Sequence, residues 1–200
     1  MKSKTIANTY LLIAAAILTM VLGLPAAAQQ VNMRFSGTAA KSTITNLLQP
    51  GTSNAEYTLA GNGALGPFTL RLVSAGANSF SSTPPATCSG PNKAYAPVDA
   101  GAGVFRFQDG SLLYVQVTPG GSDCIDFAAG HALCIRNLQV TGGTGRFKDA
   151  SGTLTLTETV VPVLADTSGR PVFFAATGGV QGTISGVTEE QDQNSDNSDQ

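Results

Sequence analysis

The chain has 200 residues, of which 42% are hydrophobic and 12% charged, and its formal net charge is −2. That balance, with no basic run, argues against a nucleic-acid partner. One histidine and three cysteines without a C-x-x-C spacing give no zinc-site pattern, so no metal or cofactor is expected.

The N-terminus reads as a leader. Lys2 and Lys4 precede the uncharged run "YLLIAAAILTMVLGL", 15 residues from Tyr10 to Leu24. A membrane-spanning helix needs about 20 residues. The small residues Ala26, Ala27 and Ala28 then form a cleavage site, so residues 1–28 are expected to be removed between Ala28 and Gln29. The mature protein is then secreted or periplasmic, with no membrane span after cleavage.

Period-2 alternation follows in segment after segment. In "VNMRFSGT", Val31, Met33 and Phe35 alternate with polar residues, and in "PFTLRLVS" Phe68, Leu70 and Leu72 do the same. "VFRFQDGSLLYVQV" reads as a hairpin with Asp109-Gly110 in a tight type I′ turn. "HALCIRNLQV" is mixed: Leu133 and Ile135 fall on one parity, Leu138 and Val140 on the other, which predicts a bulge near Arg136 or Asn137. "GTLTLTETV" sets Leu154, Leu156, Glu158 and Val160 on one face and threonines on the other, and "GGVQGTISG" ends the pattern with Val180 and Ile184. No helical period is found between the leader and the tail. Residues 187–200 hold five acids and no base, a composition that predicts a disordered, solvating tail.

The reading is therefore all-β. A single antiparallel barrel of about eight strands occupies residues 29–186, because closure leaves no exposed edge in an exported protein. Within it, nine Lys/Arg face eight Asp/Glu. Export makes a disulfide plausible. Cys88 and Cys124 lie in turn-rich loops and are the favoured pair, leaving Cys134 buried as a small hydrophobe. Cys124–Cys134 is the alternative, since a turn near Gly130 brings them together.

The stretch "GGTGRFKDASG" fits neither a phosphate-binding loop nor a dinucleotide fingerprint, and it runs into a strand, not a helix. Gly142, Gly143 and Gly145 instead form a tight corner that lets Phe147 plug a barrel end. "GALGPF" (63–68) echoes "GGTGRF" (142–147) as G-x-x-G-x-F, a hint of two similar halves. "TGGTGRFKDASGTL" resembles the G-G-T-G-x-F-x-x-A-x-G signature of the allene oxide cyclase and dirigent barrel superfamily, and is most similar to its bacterial secreted members. The resemblance implies an eight-stranded, calycin-like barrel, often a homo-oligomer, with an apolar cavity. Plant relatives use that cavity to steer ring closure or radical coupling. The acids and bases that serve them lie outside the signature and match no position here.

Glu158 is the candidate for chemistry, with Arg136 as a partner able to compensate its charge. On the parity of "TLTLTETV" it lines a cavity and has a raised pKa; a bulge or strand end returns it to solvent instead. Arg136 points inward in the mixed strand or outward beside a bulge. Tyr114, with Tyr57 and Tyr95, is a candidate pocket residue or core. Arg71 reads as outward-facing, His131 as a surface imidazole, and Arg146 and Lys148 as decoration of an exposed corner. A hydrolase triad on the single His131 is not supported, because no G-x-S-x-G is present. Three functions follow: a binder of a small apolar ligand, an isomerase, cyclase or dirigent-type coupling factor, and a surface structural protein whose barrel is filled by side chains. The binder is preferred.

Overall fold

The computed structural model describes residues 28–42, 52–77 and 79–188; the leader before Ala28 lies outside them. Eight strands follow in order: β1 (Gln29–Ser42), β2 (Thr52–Gly63), β3 (Phe68–Ala77), β4 (Lys93–Phe107), β5 (Leu112–Asp126), β6 (His131–Gly143), β7 (Ser151–Ala165) and β8 (Pro171–Ser185). Each pairs antiparallel with the next, and β8 returns to β1 to close the barrel. Among the described residues there is no α-helix, only two short 3-10 turns, Ala86–Cys88 and Gly145–Phe147. The alternating residues face as their period requires: Val31, Met33 and Phe35 are buried, as are Phe68, Leu70 and Leu72, while Asn32, Arg34, Thr69 and Arg71 are exposed.

Antiparallel order puts the β2–β3, β4–β5 and β6–β7 connections at one end. Both glycine corners therefore meet there, and they carry the same device. Gly66 and Gly145 hold equivalent places in the two G-x-x-G-x-F stretches and have φ of +85° and +58°. The phenylalanines that end the stretches join one aromatic plug: Phe107 lies 6.2 Å from Phe68 and 4.7 Å from Phe147, ring centre to ring centre. Phe147 is fully buried. Rings in such tilted contact exclude water from that end and dominate its packing energy.

Arg146 departs from its expected role as surface decoration. Its guanidinium lies over the Phe107 and Phe147 rings at 5.1 and 4.6 Å, and Nη2 donates to the Leu65 carbonyl at 2.6 Å. Nε lies 2.8 Å from Asp109 Oδ2. One side chain thus ties together all three connections of this end. Lys148 is exposed, as expected.

The turn at Asp109-Gly110 is not type I′. Only Gly110 has a positive φ, +84°, whereas type I′ needs it at both central residues. Phe107 accepts from Gly110 N and donates to Ser111 O, which makes a three-residue loop ending in a left-handed glycine. The extra residue leaves Asp109 free to meet Arg146. Of the expected tail only Val187 and Thr188 are among the described residues; residues 189–200 lie outside them. Val187 packs against the core, and Thr188 N donates to Arg146 O at 3.0 Å. A chain ending at Thr188 should therefore melt as the full chain does. One ending at Gly186 should lose about 1 kcal/mol with its last hydrogen bonds, and equal melting of the two would show these contacts to be idle.

At Gly145 a Cβ would sit 2.3 Å from Ser111 Oγ, whereas at Gly110 it would meet nothing within 4 Å. Both need the left-handed backbone, so the pair separates strain from crowding. Gly145→Ala should cost about 1–3 kcal/mol and more than Gly110→Ala in thermal melts; equal losses would remove the corner's close packing from the account.

The bulge expected at Arg136 or Asn137 is not in β6. Inward positions run without a break through Ala132, Cys134, Arg136, Leu138 and Val140, and β6 keeps continuous register with β7. The apparent parity switch arises because Leu133 is left 44% exposed on the outside. The extra residues belong to β5, where Thr118 pairs with Asn137 and Ser122 with Ile135, so Pro119, Gly120 and Gly121 span the place opposite Arg136. That bulge makes room for a large inward side chain.

Cys88 and Cys124 are joined by a disulfide that ties the β3–β4 connection to β5. The alternative partner faces the wrong way. Cys134 pairs in register with Asp123, one position from Cys124, and its free thiol is buried inside the barrel.

Candidate functional site

The barrel's two halves differ in side-chain size. Towards the plugged end the inward positions hold Leu, Phe and Met; towards the other end they hold Ala39, Ala55, Ser74, Ala96 and Ala132. Small residues cannot fill a barrel whose width is set by eight strands. A chamber of about 80 Å³ results, and it widens into a mouth of about 580 Å³ that shares Lys41, Ala96, Ile125, Ala132, Val160 and Phe174 with it. The recess therefore opens at the end away from the glycine corners.

Polar groups are concentrated at its inner limit. Tyr57, Asp123 and Cys134 line the chamber. Just beneath, Arg136 is fully buried, and its Nη2 donates to Tyr57 Oη at 2.6 Å. The same nitrogen lies 2.7 Å from Asp123 Oδ1, an ionic contact without the angle of a directed hydrogen bond. Nη1 donates at 3.2 Å to the carbonyl of Ser122, at the end of the β5 bulge, and at 3.0 Å to that of Ile135, its own neighbour in β6. The guanidinium also stands 5.5 Å from the Tyr57 ring centre. Burial works against the Arg136 charge, but Tyr57 and Asp123 outweigh it and raise the pKa further.

Glu158 faces inward, between Leu156 and Val160, and is 1% exposed. The strand keeps its alternation there, so no bulge returns it to solvent. It is opposite Cys134 in β6 and Gly178 in β8. Neither carboxylate oxygen has a hydrogen-bond partner, and Arg136 Nε is likewise without one. Arg136 makes its ion pair with Asp123, not with Glu158. Burial therefore pushes the Glu158 carboxyl up to about 7; Arg136 pulls it down only in part, and Asp123 adds to the rise. Burial also holds the Cys134 thiol and the Tyr57 phenol up, with Asp123 adding to the former and Arg136 opposing the latter. A thiol kept protonated is a poor nucleophile.

The other candidates lie elsewhere. Tyr114 sits on the outer wall beside Arg71 and Val104, because its neighbours Leu113 and Val115 take the inward positions. Tyr95 is likewise half-buried between the inward Ala94 and Ala96. Arg71 faces outward and pairs with Glu56. His131 lines the mouth. Asp123 was not singled out from the sequence. Its parity was hidden by the bulge at "TPGG", although the run of Ala and Ser on inward positions of five strands was a readable sign of a cavity.

No family model matches the chain, and no curated protein sequence does. Among solved structures the chain is similar to the pterocarpan synthase dirigent protein GePTS1, at 11% identity and a TM-score of 0.35, over 81% of this chain and 92% of that one. A likeness this distant carries no argument; the closed eight-stranded barrel stands on its own strand pairing.

Proposed function

We propose that this protein is an exported barrel that binds a small apolar ligand through its open end. The observation that carries this is the recess: an apolar mouth leading to a chamber too small for a whole drug-sized molecule, about 80 Å³, with hydrogen-bonding groups at its inner limit. The tip of a ligand fits the chamber and its body the mouth. A purely structural barrel would have no reason to keep inward Ala and Ser on five strands.

The isomerase or cyclase reading draws support from Glu158, whose pKa near 7 suits a general acid or base. A proton-transfer group must reach the ligand, however, and the chamber lining ends at Tyr57, Asp123 and Cys134. Binding without conversion is the better-supported reading. Export is supported by the leader-like sequence before Gln29 and by the disulfide, which suits an oxidising compartment. N-terminal sequencing of protein from its host is expected to begin at Gln29.

The test is retention. Protein taken through cell extract and analysed by native mass spectrometry should carry an apolar molecule that Ala132→Phe, with its ring in the chamber, does not. Equal retention by a folded Ala132→Phe would overturn the proposal, and a ligand recovered in altered form would establish the enzyme.

A further inference from the structure

The mouth is edged by side chains that a soluble barrel has no internal reason to expose. Phe80, in the β3–β4 connection, is 56% exposed and Phe127, after β5, is 61% exposed. Their rings meet edge-on at 6.4 Å, so they form one patch. Val163 and Leu164, where β7 runs out beyond the barrel, are 55% and 61% exposed. Clustered apolar groups of this size around an opening mark an interaction surface.

Charge identifies what the surface meets. Lys41 and Arg170 line the same mouth. Asp126 lines it as well, but Asp126 accepts from the amides of Ala128 and Ala129, and Asp166 from Ser168 and the Arg170 amide, and among the described residues neither acid forms an ion pair with Lys41 or Arg170. A second copy meeting this face would set its Lys41 and Arg170 against the same cations. Lipid offers both complements at once: acyl chains for the rings and phosphates for the cations.

We propose that the mouth docks on a lipid surface, with Phe80, Phe127 and Leu164 set into it. The docking stands on the rim alone; that the ligand is drawn from the lipid rests on the binding function proposed above.

The chain contains no tryptophan, so a single indole reports its own surroundings. Phe127→Trp places one at the rim, and Val104→Trp places one on the outer wall of the plugged half. With vesicles of phosphatidylcholine and phosphatidylglycerol bearing brominated acyl chains, Phe127→Trp should shift to the blue and lose most of its emission, while Val104→Trp should do neither. Adding Phe80→Ser and Leu164→Ser to Phe127→Trp should raise the lipid needed by about tenfold or more. Three results would overturn the proposal. The rim indole stays as unquenched as the wall indole; both are quenched alike, which assigns the lipid contact to another part of the chain; or the blue shift grows with protein concentration in the absence of vesicles, which assigns the rim to a second copy. Ala132→Phe on the Phe127→Trp background separates the two proposals, because it closes the chamber and should leave quenching intact. Quenching without ligand retention in the parent chain would end the binding reading and keep the docking.

Discussion

Replacing Arg136 by methionine should cost about 3 kcal/mol of stability, as much as deleting a large buried apolar side chain. The guanidinium is fully buried and makes four polar contacts, to Tyr57, Asp123 and two carbonyls. Methionine approximates its length but returns none of these. Removing one partner of a buried pair leaves the other uncompensated, and that penalty exceeds the net value of the pair. The estimate takes the low end of the usual range because the Asp123 side chain keeps 24% of its surface in solvent. Asp123→Asn combined with Arg136→Met should recover part of the loss, since no carboxylate is then left facing the gap. Urea unfolding followed by circular dichroism measures both. If the single variant lost less than about 1 kcal/mol, the cluster would be solvated in a way its burial does not allow.

Glu158→Gln should act in the opposite direction and depend on pH. The group's folded pKa is raised, from 4.5 to about 7, so the folded state binds the proton more tightly than the unfolded chain does. Stability therefore falls as pH rises through the window between those values, and above it the wild type bears the whole penalty, about 3 kcal/mol. Glutamine keeps the shape and removes the titration. The variant should be more stable than wild type by about that amount at pH 8 and nearly equal to it at pH 4, where both side chains are neutral. The groups facing Glu158 are Arg136 and Cys134 from β6, Asp123 from β5 and Tyr57 from β2. Parallel stability profiles across pH 4 to 8 would mean that ionised Glu158 finds a partner, with Arg136 Nε, itself without one, as the candidate.

Strand positions and the plugged end were legible because period 2 survives wherever one face is buried. Leu154, Leu156, Glu158 and Val160 share a face in the fold as in the pattern. Arg136 was ambiguous for a physical reason. The irregularity that accommodates it lies on β5, some fifteen residues earlier in the chain, so no reading of "HALCIRNLQV" by itself could assign its direction. Leu133, exposed on the outside, supplied the false signal. Tyr114 was misplaced because an aromatic on a strand does not disclose its face until its neighbours' parity is fixed by closure. Arg146 looked like loop decoration since its partners Leu65 and Asp109 come from two other connections, which only the barrel brings together. The Asp109-Gly110 pair named a turn, but the register between Phe107 and Ser111 decided which one.

The central claim is that a ligand enters through the mouth and ends against Tyr57 and Asp123. Amide and methyl NMR shifts during titration with anilinonaphthalene sulfonate, an apolar ring system, test it most directly. Shifts should gather at Ala39, Ala55, Ala132 and Val160 and leave Phe107 and Phe147 unmoved. Shifts confined to the outer wall around Val73, Val104 and Tyr114, with Ala132 and Val160 unchanged, would contradict it.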